Sequence, residues 1–293
     1  MTPILAALDD IADRYDALFC DLWGCLHDGV RAFPDAVAAL RRFRAKGGYV
    51  MLVTNSPRPR DAVIPQLAEM AVPRDCWDGV TSSGDAAQAA LVSGAFGERV
   101  YHLGPERDLP FFTEMAEDIP RRVTVTRVPL AEAESIVCTG LFDDENETPD
   151  DYRLTIATGV NRGLKLLCAN PDIVVDRGET RLWCAGALAA AYTEAGGESH
   201  YFGKPHAPIY ALSRARMVTA GRDVEDARIL ALGDGIATDV AGGMGEGLDT
   251  LFITGGLAAA ETGMRGGNPD PEKLAAYLAA HRLSPTAAIG FLR

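Results

Sequence analysis

The chain has 293 residues, longer than one typical domain and short for two. Asp and Glu number 41 against 28 Lys and Arg, a formal net charge of -13, which excludes a nucleic-acid backbone gripped by bulk charge and a basic membrane-surface helix. Hydrophobic residues make up 47% and charged residues 24%, a globular mix that excludes disorder as the main state.

Apolar runs alternate with helical patterns along the chain, the signature of a parallel sheet covered by helices. Residues 3–14 predict an amphipathic helix with Ile4, Leu5, Leu8 and Ile11 on one face. Strands are expected at 17–20, 49–53 and 79–82, and helices at 34–46 and 61–70; Pro34 opens the first helix and Gly47-Gly48 closes it. The middle of the chain predicts strands at 99–102, 122–125, 135–138 and 164–168. Its acidic stretch, residues 142–151, reads as a solvated loop. Beyond it follow a helix at 208–216 and strands at 228–232 and 250–253. No apolar run approaches a membrane span, and the N-terminal residues lack the pattern of a signal peptide. The six cysteines form no Cys-x-x-Cys pair, so a zinc knuckle is not expected and a reduced, cytoplasmic protein is.

Three of the strands end abruptly in polar residues. The first runs into Asp21, the second into Thr54-Asn55-Ser56, and a late one into Gly233-Asp234-Gly235 with Asp239 close behind. In open α/β sheets ligands bind beyond the carboxyl ends of the strands, so these residues predict a cation or phosphate site. Of the 28 basic residues only four are Lys, and Lys204 stands between Gly203 and Pro205. A cluster of anionic oxygens that receives a phosphoryl group needs such a fixed cation.

Four segments in order carry a resemblance: Asp21-Leu-Trp-Gly-Cys-Leu, Leu52-Val-Thr-Asn55, Gly203-Lys-Pro-His-Ala-Pro-Ile-Tyr210 and Gly233-Asp-Gly-Ile-Ala-Thr-Asp239. Together they resemble the haloacid dehalogenase superfamily. The Gly-Lys-Pro form and the long insert are similar to its class II capped (NagD-like) branch, and the match spans nearly the whole chain. The resemblance implies a doubly wound parallel α/β core (Rossmann-like), residues 1–84 and 201–293, with an inserted α/β cap at 85–200. It implies Asp21 as the nucleophile forming an aspartyl-phosphate, Thr54 and Asn55 as contacts to the phosphoryl group, and Lys204 as the charge that neutralises it. Mg²⁺ would be held by Asp21, the backbone carbonyl of Trp23 and Asp234, with Asp239 either as a direct ligand or as a partner behind the ligands.

The superfamily's first motif usually carries a second Asp two residues after the nucleophile, which protonates the leaving group; here that position is Trp23. General acid–base help is worth roughly 10²–10⁴ in rate. Three functions follow: an Mg²⁺-dependent phosphohydrolase of lowered or narrowed activity, a phosphate-ligand binder that barely turns over, and a metal-independent dehalogenase. His27 and His206 are candidates to replace the missing acid, the latter also as a phosphate contact, while His27 alternatively orients the loop with Asp28. Trp23 reads as an apolar wall or stacking face, or as packing. In the cap, Asn170 and Asp172 are the expected substrate contacts, presented by an Asn-Pro-Asp turn. The expected partner is a small phosphate ester; a homodimer is one assembly open to such a chain. Residues 85–200 hold 20 acidic and 10 basic residues, so the surplus acidity belongs to the insert.

Overall fold

The computed structural model describes residues 2–178 and 180–293. Thirteen strands appear in chain order among these: β1 (Ala17–Cys20), β2 (Tyr49–Thr54), β3 (Gly79–Ser82), β4 (Arg99–Leu103), β5 (Thr126–Arg127), β6 (Ser135–Cys138), β7 (Lys165–Cys168), β8 (Val174–Arg177), β9 (Thr180–Trp183), β10 (Glu198–Tyr201), β11 (Ile229–Gly233), β12 (Asp249–Ile253) and β13 (Ala287–Ile289). They form three sheets.

The first sheet is parallel throughout, in the order β13-β12-β11-β1-β2-β3. This is the doubly wound order, in which the direction of winding reverses between β1 and β11 and leaves a crevice at their carboxyl ends. Both faces of these strands are covered, which is why the strands are apolar runs rather than alternating patterns. Leu18, Cys20, Val50 and Leu52 pack on one side. Phe19, Met51, Val53 and Ala231 pack on the other, against Ile209 and Tyr210 of the helix Ala207–Thr219. Burying one such Leu or Phe contributes about 2 kcal/mol.

Between β3 and β11 the chain builds a second parallel sheet, β10-β7-β6-β4-β5, with its own core around Ile136, Leu166, Leu188 and Tyr192. The antiparallel pair β8-β9 projects from this inserted α/β unit. The chain enters the insert through a helix at Ser83–Ala90, fixed by a capping box: Ser82 Oγ accepts from Asp85 N–H, and Asp85 accepts from Ser82 N–H. No helix among the described residues is long and apolar enough to cross a membrane.

Two sequence expectations differ from the structure. The helix predicted at 3–14 shrinks to Asp9–Ala12, because Leu5 N–H donates to Ala288 O and Ala288 N–H to Pro3 O, which draws the preceding residues alongside β13. The strand predicted at 122–125 begins only at Thr126; the N–H groups of Arg122 and Val123 instead donate to Val92 O, at the start of the turn Leu91–Ala95 that follows the entry helix. Sheet pairing overrides local periodicity at one place and a loop contact does so at the other. The acidic stretch 142–151 is mostly exposed, as expected, although Asp144 is paired with Arg107.

Candidate active site

The crevice at the reversal point collects residues from four separate segments. Asp21 directly follows β1, and its N–H donates to Leu232 O, which continues the pairing with β11 by one residue. Asp234 directly follows β11. Both carboxylates therefore leave adjacent strands at the same edge. Lys204, only 3% exposed, enters from the loop after β10 and donates from Nζ to Asp21 Oδ1 at 2.6 Å and Asp239 Oδ1 at 2.7 Å. Asp239 also accepts from Gly235 N–H at 3.1 Å, and Asp234 Oδ2 accepts from Leu257 N–H at 2.9 Å.

Three buried carboxylates around one ammonium make a strained charge balance. Burial, then the negative charges of Asp239 and Asp234, push the Asp21 carboxyl well above its ordinary range, although Lys204 pulls the other way. Burial and Asp239 push Asp234 to about 7. Burial opposes the charge on Lys204, but Asp21, Asp239 and Asp172 outweigh it and keep the ammonium protonated. Ligand atoms of Asp21, Asp234 and Cys25 lie within 4.8 Å of one another. Burial raises the Cys25 thiol, so this sulfur stays a neutral thiol, and the cluster offers two hard carboxylate donors in surplus over their cation. That donor chemistry suits a small divalent cation such as Mg²⁺. Gly24 is required here: it has φ +71°, and a Cβ on it would stand 2.2 Å from Asp234 Oδ2.

Asn55 is buried and every one of its polar atoms is engaged. Its Oδ1 accepts from Lys204 N–H at 2.7 Å, and its Nδ2 donates to Lys204 O at 3.1 Å and Asp172 Oδ1 at 2.8 Å. Asn55 therefore clamps the lysine loop and ties it to the insert. Thr54 is buried with Oγ1 accepting from Ser56 N–H. Asn170 Oδ1 accepts from Asp172 N–H at 3.0 Å, closing the expected turn. Burial raises the Asp172 carboxyl to about 6.

These residues line a cavity of about 540 Å³ between the main sheet and the insert, together with Trp23 and His27. His27 is buried; Nδ1 accepts from Gly29 N–H at 3.0 Å, which leaves the proton on Nε2, and Nε2 has no partner among the described residues. Burial lowers this imidazole to about 4. Its ring meets Trp23 edge-on at 5.5 Å between centroids. His206 is not among the cavity-lining residues; it stacks on Tyr201 at 5.0 Å, on the exposed side of the loop.

Several lining residues escaped the sequence reading. Arg58 lies four residues past Thr54 and pairs with Asp108 of the insert at 3.1 Å. Arg107 pairs with Asp144, and Trp183 comes from β9. Gly178 N–H at the tip of the β8-β9 pair donates to Asp28 O. An Arg-bearing loop beyond a strand end was the available signal for Arg58; for Trp183 there was none.

A doubly wound sheet with an inserted α/β unit, and an Asp-Lys-Asp cluster at its reversal point, defines a class of hydrolases. Residues 18–116 match the Haloacid dehalogenase-like hydrolase family and residues 201–281 the HAD-hydrolase-like family. A haloacid dehalogenase-like hydrolase from Brucella suis 1330 is 43% identical, with 99% of this chain and all of that one covered and a TM-score of 0.85. The chain belongs to the haloacid dehalogenase-like hydrolase family. An acid sugar phosphatase of Staphylococcus aureus is 27% identical over 252 residues, 85% of this chain and 90% of that protein. A glycerol phosphate phosphatase of Mycobacterium tuberculosis, solved with calcium, is 25% identical with 88% of this chain and 71% of that one covered and a TM-score of 0.64.

Proposed function

We propose that the protein is an Mg²⁺-dependent phosphatase of the class II capped branch, hydrolysing a small phosphate monoester through Asp21. The observation that carries this is the Asp21 carboxylate, bonded by Lys204 beside Asp234 at the reversal point of the sheet. The relatives named for sugar and glycerol phosphates support it.

Asp21 and Asp234 would hold the metal, with the carbonyl of Trp23; Asp239 is the more distant partner, since its oxygens are taken by Lys204 and the Gly235 N–H. The ion would offset the charge of an anionic ester against an anionic nucleophile. Lys204 holds Asp21 Oδ1 and leaves Oδ2 for attack on phosphorus, which breaks the bond to the alcohol oxygen and forms an aspartyl-phosphate; water then cleaves this to release phosphate and restore Asp21. The same ammonium neutralises the phosphoryl oxygens, and Thr54 faces them from the end of β2. Asn55 positions the lysine rather than touching the substrate. Residues 85–200 act as the cap, which covers the cavity and excludes bulk water.

Proton transfer is the weak step. Trp23 cannot protonate a leaving group, and a buried imidazole held near 4 is not an imidazolium at pH 7, so it has no acidic proton to give. His27 is then a neutral Nε2–H donor, and turnover favours esters whose alcohol leaves without a proton. The test is a comparison of phenyl phosphate with alkyl phosphates in Mg²⁺. We expect the aryl ester to be strongly preferred and Asp21→Asn to abolish its hydrolysis. A fully active Asp21→Asn protein refutes the mechanism. If neither ester turns over while Mg²⁺ and phosphate still bind, the protein is a binder; release of halide without metal makes it a dehalogenase.

A further inference from the structure

Charge in the cavity is unevenly matched. Nine carboxylates and four cationic side chains line it, and Lys204 is committed to Asp21 and Asp239. The other three cations are arginines, each already paired: Arg58 with Asp108, Arg107 with Asp144, and Arg177 with Glu145. No guanidinium lining the cavity is left unpaired among the described residues, so no free cationic side chain there is set to receive a second anion. Asp28, Glu69 and Asp176 add negative charge beyond the Lys204 cluster; Asp176 is answered by Arg181 at 2.7 Å, and Asp28 by two backbone N–H groups and a looser Arg31 contact at 3.6 Å. Formally the lining is five charges negative, and a divalent cation would leave it negative still. A low-dielectric cavity of one sign concentrates ligands of the other.

Two further observations describe what would occupy this space. Trp23 and Trp183 both line it, Trp183 with 39% of its surface exposed. Indole faces bear negative quadrupole potential and hold ammonium groups, contributing about 0.5–2 kcal/mol. His27 lines the same cavity, and its buried, unpartnered Nε2 lacks an acceptor. An ester or hydroxyl oxygen of a bound ligand supplies one.

Building on the phosphatase reading above, we propose that the alcohol portion of the substrate bears an ammonium group and no second anion, seated between the acidic side chains and the two indole faces. Its phosphate goes to Lys204 and the metal; its cationic end answers the surplus carboxylates. Phosphorylated hydroxy acids and bisphosphates are disfavoured, because a second negative charge meets carboxylates and arginines that are already paired.

The test measures kcat/KM in Mg²⁺ for phosphocholine, phosphoethanolamine, glycerol 3-phosphate and 3-phosphoglycerate, with phenyl phosphate as reference. We expect the two amino-alcohol esters to exceed 3-phosphoglycerate by about tenfold or more, with glycerol 3-phosphate between. Glu69→Gln, on an exposed side chain, and Trp183→Ala should each narrow that gap. Titration of the Asp21→Asn protein with phosphocholine and 3-phosphoglycerate, followed by calorimetry, ranks the ligands without turnover. If phenyl phosphate is not hydrolysed, the phosphatase reading fails; in that case, or if the alkyl esters turn over too slowly to rank, the binding ranking alone decides this proposal. If 3-phosphoglycerate matches or surpasses the amino-alcohol esters in the assay that applies, the proposal is overturned.

Discussion

Asn55→Ala separates a positioning role from a substrate contact. The substitution deletes three hydrogen bonds, two to the Lys204 backbone and one to Asp172. Each contributes about 1 kcal/mol net, and a buried N–H left without an acceptor costs more, so the loss sums to about 3 kcal/mol. With a urea m-value of about 3 kcal/mol/M, the unfolding midpoint should fall by about 1 M at unchanged slope. Kinetically, Lys204 loses its anchor while the phosphate-binding groups remain. We therefore expect kcat for phenyl phosphate to fall at least tenfold with KM changed much less. A residue that merely binds substrate would raise KM and leave the midpoint in place. A midpoint shift below about 0.3 M together with unchanged kcat would refute the reasoning.

Gly29→Ala places a Cβ 2.3 Å from the Trp23 ring at φ +82°, so it should destabilise the protein by about 1–3 kcal/mol and shift tryptophan emission; an unchanged spectrum and melting temperature count against the packing described. Arg216→Met leaves the fully buried Asp85 without its cation and should cost about 3–5 kcal/mol by denaturant titration. Burial pushes Asp118 up, but Arg216 and Arg60 beside it hold its carboxyl below the ordinary 3.8, so its stabilisation is complete above that pH and is lost as pH falls through the folded value. Stability curves of Asp118→Asn and the parent should accordingly converge in acid; a constant gap contradicts the pairing. Trp23→Asp should raise alkyl phosphate hydrolysis relative to phenyl phosphate, and an unaltered ratio removes proton transfer as the limiting step.

How much of this was legible in the sequence depended on how local the signal was. β1, β2 and β11 are short apolar runs that end in Asp21, Thr54 and Asp234, and the sequence marks both the strands and the residues they deliver. The Gly203-Lys204-Pro205 stretch marked the cation. The pairing of Lys204 with Asp239, the closure of all Asn55 hydrogen bonds and the neutral state of His27 were not legible, because each depends on burial or on a partner more than 30 residues away, or both. His206 shows the converse failure: it sits two residues from Lys204, yet the turn at Pro205 sends it outward to Tyr201. The arginines of the cavity were missed for the same reason, since Arg58 and Arg107 acquire meaning only when Asp108 and Asp144 arrive beside them.

The pairing of β1 with β11 has a consequence for synthesis. Strands β4 to β10 all lie between the two, so the inserted sheet is complete while the main sheet still lacks three of its six strands. At ribosomal rates of about 5–20 residues per second, the gap between the end of β2 and the start of β11 lasts on the order of ten to thirty seconds. During that interval β1 presents an unpaired, wholly apolar edge, the kind that adds strands from other chains. Asp21 and Asp234 thus meet only after the inserted sheet is complete. A nascent chain stalled before residue 229 carries a finished insert beside an open sheet that lacks Asp234, and is a natural client for a chaperone.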